Sequence, residues 1–286
     1  MEKRLSYFIV SIVCFLAGCT PQEAEIPAGE HTIAIYVRTT DGFHTRVVDA
    51  DNLASEQTVN NISLFFTEPA GTTFTHTFIH TGFTISGDYQ LITLPLQPAD
   101  LLTKDIYVIA NYDDTATLEA LSSTDQLKDM HTPAVDKNNN LDPLEGFCMY
   151  GFLLDADFTD TSQSPITVGL TRACAKYRVN LTFPDEPGLS TVNSFLIQQA
   201  AKYTYIIDNN INVLPLTDYF NFAAATPLIN NGSGVYTNIV YLYDATAAPV
   251  ITLYVYLNGS AIPQEFTADL PIPQRNYLYD INIEVY

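Results

Sequence analysis

Four groups of residues in this 286-residue chain have types and spacings that chemistry can use. Asp136, Asn138, Asn140 and Asp142 stand at alternate positions, the spacing at which oxygen ligands begin a calcium loop. Position six is Leu141 instead of glycine, and no glutamate falls at position twelve, so an Asx-rich turn is the expectation. His76 and His80 share one face of an alternating run with Phe74 and Phe78. A zinc site needs a further ligand at metal spacing, and the sequence supplies none. Cys148 and Cys174 either pair outside the cytoplasm or stand as two buried thiols. Arg172, Lys176 and Arg178 crowd together in an otherwise acidic chain, and read as solvated or ion-paired side chains at a sheet edge ahead of a binding patch. There is no nucleophile elbow, phosphate loop, metal-binding histidine–glutamate helix or paired-cysteine zinc spacing. The expectation is a protein that is not an enzyme and carries no cofactor or metal.

The elements that position these residues are strands. The chain is 47% hydrophobic and 12% aromatic, with abundant tyrosine and phenylalanine and no tryptophan. Valine, isoleucine, threonine and tyrosine recur in short alternating runs, which makes the class all-β. The formal net charge of −20 argues against a nucleic-acid partner, whose phosphates need a basic footprint. The N-terminus reads as a secretion signal: Lys3 and Arg4, then an apolar run from Leu5 to Ala17 too short to span a bilayer stably. It ends in Leu16–Ala17–Gly18–Cys19, which resembles a bacterial lipobox with the Cys19 thiol as the acceptor of a diacylglycerol. Two or three acyl chains hold a lipoprotein where one would be marginal. Thr20 to Gly29 then reads as a flexible tether.

His31 to Arg38 is the first expected strand, with Ile33, Ile35 and Val37 on one face. Val59 to Thr67 follows with Ile62, Leu64 and Phe66 inward, then Thr73 to Thr81, Tyr89 to Leu96 and Asp105 to Tyr112. Leu118, Leu121, Leu127 and Met130 fit a short helical stretch with Thr124 as an N-cap. Pro165 and Pro184 bracket two strands separated by Thr171 to Lys176, with Ile166, Val168 and Leu170 in the first and Tyr177, Val179, Leu181 and Phe183 in the second. Ser194 to Ile207 holds one or two strands. Asn238 to Tyr243 and Val250 to Leu257 are strands, and Asn258–Gly259 is a hairpin turn. The last strand, Tyr277 to Tyr286, sets Tyr277, Tyr279, Ile281, Ile283 and Val285 on one face.

Four stretches, in order, resemble the fimbrillins, the FimA-type or type V pilins of Bacteroides-like bacteria. Ile106–Tyr107–Val108–Ile109–Ala110–Asn111 is similar to the family's V-Y-V-V-A-N strand. Met149–Tyr150–Gly151 is similar to its M-S-G turn. Leu170–Thr171–Arg172–Ala173–Cys174–Ala175–Lys176 resembles L-x-R-x-x-A-K, and Arg275–Asn276–Tyr277–Leu278–Tyr279–Asp280–Ile281 resembles R-N-x-x-Y-x-I. The resemblance implies two tandem transthyretin-like β-sandwich domains, here 30–173 and 174–286, after a signal peptide (1–18) and a lipidated tether (19–29). It implies a structural or adhesive subunit of a fimbria at the outer membrane and cell surface, which meets other fimbrial subunits by donor-strand exchange. It makes Arg46 the positional match of the arginine at which a trypsin-like protease cuts. Shaft fimbrillins continue past the R-N-x-x-Y strand into a donated appendage. This sequence runs only to Tyr286, so a terminal or accessory subunit is expected. The alternative is a surface lipoprotein that binds glycan or another host or bacterial surface ligand without polymerising.

Overall fold

Ile33, Ile35 and Val37 alternate with Ala34, Tyr36 and Arg38, and the strand they form buries the first set and leaves the second half-exposed. The same period-two logic builds most of the chain. The structure is a computed structural model that describes residues 33–39, 54–96, 101–135, 141–159, 165–183, 191–207, 219–223, 229–230, 235–256 and 260–285. The expected signal segment, Cys19, the tether, Arg46, Asp136, Asn138, Asn140 and the Asn258–Gly259 turn lie outside the described residues.

The fold is all-β. Strands β1 (Ile33–Thr39), β2 (Ile62–Thr67), β3 (Phe74–Phe78), β4 (Thr84–Ser86), β5 (Tyr89–Leu94), β6 (Thr103–Ala110), β7 (Met149–Asp157) and β8 (Ile166–Arg172) form one sheet in the order β3-β2-β6-β7-β8-β1-β5-β4. The sheet folds over on itself, so Ile62, Leu64 and Val108 from one layer meet Ile35, Ile92 and Val168 from the other in a single core. The fold-over sits between β7 and β8, which pair only at Met149↔Arg172 and Tyr150↔Thr171 before they part. Gly151 lies at the parting. A Cβ there would stand 2.3 Å from the Gly169 carbonyl oxygen, so the two backbones approach closer than any side chain allows.

The remaining strands are β9 (Cys174–Thr182), β10 (Thr191–Ala201), β11 (Tyr219–Ala223), β12 (Ile229–Asn230), β13 (Val235–Tyr243), β14 (Val250–Tyr256), β15 (Gln264–Asp269) and β16 (Leu278–Glu284). They form two four-stranded sheets, β11-β10-β14-β15 and β12-β13-β9-β16. Tyr177, Val179 and Leu181 of β9 face Phe195, Ile197, Ile251 and Leu253 of the other sheet in a second core.

Several elements differ from the sequence reading. The expected strand Thr73–Thr81 is only Phe74–Phe78, with His80 beyond it at φ +47, and Met149–Gly151, expected as a turn, opens β7. All six residues of β2 are buried, although only alternate ones were expected inward. Its outer face is covered: Phe65 packs in a satellite cluster with Leu118, Leu127 and Met130. Those residues belong to or follow two short helices, α1 (Thr115–Glu119) and α2 (Thr124–Lys128). The cap of α2 is Ser123, one residue before the expected Thr124. Ser123 has the extended backbone of a cap, and its hydroxyl accepts the Gln126 amide at 3.3 Å. Only Ala173 separates β8 from β9, where a six-residue break was expected.

Gly151→Ala is expected to cost about 2–3 kcal/mol of stability, because the clash is with backbone that cannot swing aside. Gly82→Ala, with nothing within 4 Å of its Cβ, should stay within about 0.5 kcal/mol of the parent. Denaturant titration of the two variants checks the difference.

Candidate functional site

Removing two opposite charges from water is costly unless each finds its partner and further hydrogen bonds. The chain does this once among the described residues with both side chains fully buried: the Lys176 ammonium lies 2.7 Å from Glu56 Oε1. Glu56 comes from a 3₁₀ turn, Ala54–Gln57, that precedes β2. The Tyr241 hydroxyl donates to the same carboxylate oxygen at 2.6 Å. Arg172 Nε donates to the Glu56 backbone carbonyl at 2.8 Å, and its guanidinium also donates to Asn276 Oδ1 at 2.6 Å. Asn276 sits at φ +56, a left-handed conformation that asparagine tolerates better than most residues, and its amide bonds the Cys174 carbonyl. Arg172 and Lys176 are therefore not the solvated edge residues that the sequence suggested. Both are 0% exposed. Arg178, two residues along on the same face of β9, does pair at the surface, with Asp280 of β16 at 3.3 Å.

The stretches that carry the family resemblance turn out to hold joints. Asn111 ends β6 at φ +58. Its side chain donates to the Thr58 and Phe147 carbonyls at 2.7 and 2.8 Å and accepts the Asn60 amide at 2.7 Å. Arg275 bonds Asp244 at 3.0 Å and the carbonyls of Tyr205 and Ile206. The segment it grips runs antiparallel to residues 130–135: Thr132 N bonds Thr204 O, Val135 N bonds Lys202 O, and Ile206 N bonds Met130 O. These joints are built from residues far apart in the chain. Sequence reasoning missed Glu56 altogether, because nothing near it marks it; only its burial and its distant cation do.

The other sequence candidates are not brought together. His80 donates from Nε2 to the Tyr112 carbonyl at 2.8 Å, while His76 lies beside Thr75 and edge-on to Phe66. Asp142 accepts the Leu144 amide at 2.8 Å in an Asx turn. Cys148 and Cys174 are both free and buried, which selects the unpaired alternative. Burial pushes the Cys148 thiol up to about 12 and the Cys174 thiol higher still.

What remains as a site is a slot in the first sheet. β1 lies in its interior, parallel to β8 with Ile35↔Ile166 and Val37↔Val168, and antiparallel to β5 with Ile33↔Leu94 and Ile35↔Ile92. Its outer side bears Tyr36, whose ring lies 5.2 Å from that of Tyr89, and Arg38, 5.7 Å above the same ring. β16 lies at the margin of its sheet, parallel to β9 along its whole length. Tyr279, Ile281 and Ile283 are half-buried against the second core, as the alternation predicted, but Tyr277 stays exposed.

No protein-family model matches the chain, and no curated protein matches it. Solved structures do. A candidate cell adhesion protein from Parabacteroides distasonis superposes with a TM-score of 0.61 at 16% identity, over 89% of this chain and 88% of its own. A fimbrial assembly protein from the same species gives 0.55 at 12% identity, over 88% and 90%. The tip fimbrial protein Mfa3 from Porphyromonas gingivalis, truncated at its C-terminus, gives 0.50 at 14%, over 84% and 81%. The fold is thus that of Bacteroidales cell-adhesion and fimbrial proteins.

Lys176→Met strands the Glu56 carboxylate in the interior and should cost about 3–5 kcal/mol in denaturant unfolding. Adding Glu56→Gln should recover most of it, since the amide still accepts from Tyr241. The thiols give a second check. In the folded protein Cys148 and Cys174 should resist alkylation at pH 8 and label only after unfolding, as peptide mapping would report. Cys148 ionises near 9 when unfolded and only near 12 when folded. Its contribution to stability is therefore full below pH 9 and lost as the pH climbs toward 12.

Proposed function

We propose that this protein reaches the surface as a lipid-anchored precursor and, once cut, becomes a subunit of an adhesive fimbria in a terminal or accessory position. The observation that carries the reading is the slot of β1. A seven-residue strand between two others supplies Ile33, Ile35 and Val37 to the first core. Its removal leaves an apolar groove flanked by unpaired backbone groups of β8 and β5, and such a groove takes a strand from a neighbour. Arg46, downstream of β1, is the proposed cleavage point that frees the strand, and Cys19 the proposed site of the lipid that carries the protein to the outer membrane. Fold likeness to an assembly protein and a tip protein supports the fimbrial setting. The two cores, divided at Ala173, support a reading as two domains, 30–173 and 174–286. β16 is zipped to β9 from Leu278 to Glu284 and Val285 is buried, which favours a strand kept over one lent. That supports an accessory position over the shaft.

The test is made in the native host. Cys19→Ala should abolish acyl labelling and membrane retention. Arg46→Ala should keep the subunit out of sheared, high-mass filaments, and the N-terminus of assembled subunits should be Val47. Assembled material that still begins at Cys19 overturns the cleavage. Retention only as a monomer, with no filament-bound fraction, overturns the fimbrial role.

A further inference from the structure

The parting of β7 from β8 leaves a stretch of β7 that no described strand pairs with on one side. β7 keeps its pairing with β6 down to Asp157, but its other side has a partner only at Met149 and Tyr150. At Gly151 the β8 backbone still presses against β7 through the Gly169 carbonyl, and from Phe152 onward no described strand pairs with this side. A row of amide and carbonyl groups on an uncovered strand margin is a template for another chain. At the parting lies a cleft of about 340 Å³, whose walls include Tyr150, Phe152, Gly169, Thr171 and Arg275.

The side chains along this margin are apolar where water reaches them. Tyr150, Phe152 and Leu154 follow one another on the outer face of β7. Tyr150 is buried, but Phe152 is 55% and Leu154 51% exposed. The Phe152 ring stacks on Tyr150, with centroids 5.8 Å apart and planes 25° apart, so it is held in place. Asp155 follows at φ +53, fixed by its amide on the Asp105 carboxylate at 2.8 Å. Its own carboxylate has no partner among the described residues. At the other end of the cleft Arg275 is already engaged by Asp244 and the Tyr205 and Ile206 carbonyls. The free charge of the site is therefore negative, on a chain of formal net charge −20.

We infer that the open margin of β7 docks an extended segment of a partner protein, with an apolar side chain seated against Phe152 and a lysine or arginine beside Asp155. Backbone pairing supplies the contact, and alternate side chains supply the choice of partner. A second copy of this chain fits poorly, since two bodies of charge −20 repel. A sugar would use the Phe152 ring but leave the backbone row unpaired. The site lies on β7 and shares Gly169 of β8 with the flank of the β1 slot, but it does not depend on the function proposed above.

The experiment uses the full chain and two synthetic octapeptides, acetyl-KTVTFTVK-amide and its charge-reversed form acetyl-ETVTFTVE-amide. Binding is read by fluorescence anisotropy, and backbone protection by hydrogen exchange. The lysine peptide should bind at least tenfold tighter than the glutamate peptide, with a preference that shrinks as salt rises. Amides within residues 152–154 should exchange more slowly in the complex. Phe152→Ser should weaken binding about tenfold, and Asp155→Asn, which keeps the left-handed backbone accessible, should erase most of the charge preference. Ile85→Ser, at another exposed apolar residue, should change nothing. If Phe152→Ser melts earlier than the parent, Leu154→Ser takes its place. No binding of the lysine peptide, equal binding of both, or binding without protection of β7 overturns the proposal. So does saturable binding of a neutral oligosaccharide that Phe152→Ser abolishes while neither peptide binds.

Discussion

The buried pair of Glu56 and Lys176 constrains the rest of the molecule. Two opposite charges without water are tolerable only in one arrangement, and that arrangement draws on the 3₁₀ turn before β2, on β9, on Tyr241 of β13 and, through Arg172, on Asn276 before β16. A slip of β9 by a single residue would turn Lys176 to the opposite face and leave Glu56 without its cation. Such a pair adds little net stability over an apolar substitute, whereas losing either partner alone is costly. The two cores can then be assembled from ordinary alternating strands, because the polar junction has already set how they begin and end.

Much of this architecture is readable from period-two patterning. Ile33, Ile35 and Val37 point inward as their spacing says, and so do Tyr177, Val179 and Leu181. What the pattern leaves out is whatever a second element supplies. Phe65 and Ser63 look solvent-facing by alternation, yet both are buried, Phe65 under α1 and α2 from a later part of the chain. Arg172 and Lys176 look like surface charge, because the carboxylate that neutralises Lys176 lies more than a hundred residues upstream. A buried ion pair between distant residues leaves no local trace. The candidate site divides the same way: the first strand is legible as a strand, while its place in the interior of a sheet, parallel to β8, is a property of the fold alone.

The residues of the four fimbrillin-like stretches act as joints. Asn111 ties the end of β6 to the entries of β2 and β7, Gly151 lets two backbones cross, Arg172 and Lys176 meet Glu56, and Arg275 grips the Tyr205–Ile206 carbonyls. A frame pinned at so few places leaves most positions of this chain unconstrained. Between the pins, alternation is the only demand, and many sequences meet it. Recognition is then free to reside in the exposed positions, which the frame does not dictate.

The interior position of β1 also has a mechanical meaning. Its hydrogen bonds run sideways to β8 on one flank and to β5 on the other. A pull along the strand loads both ladders in shear, so the bonds resist together and must fail nearly at once. A pull across it would peel them one after another. With Ile33, Ile35 and Val37 lodged in the core, axial tension must also drag three apolar side chains past their neighbours. Held this way, a short segment can withstand a steady axial load for long periods, and still leave the sheet readily if it is lifted from one end.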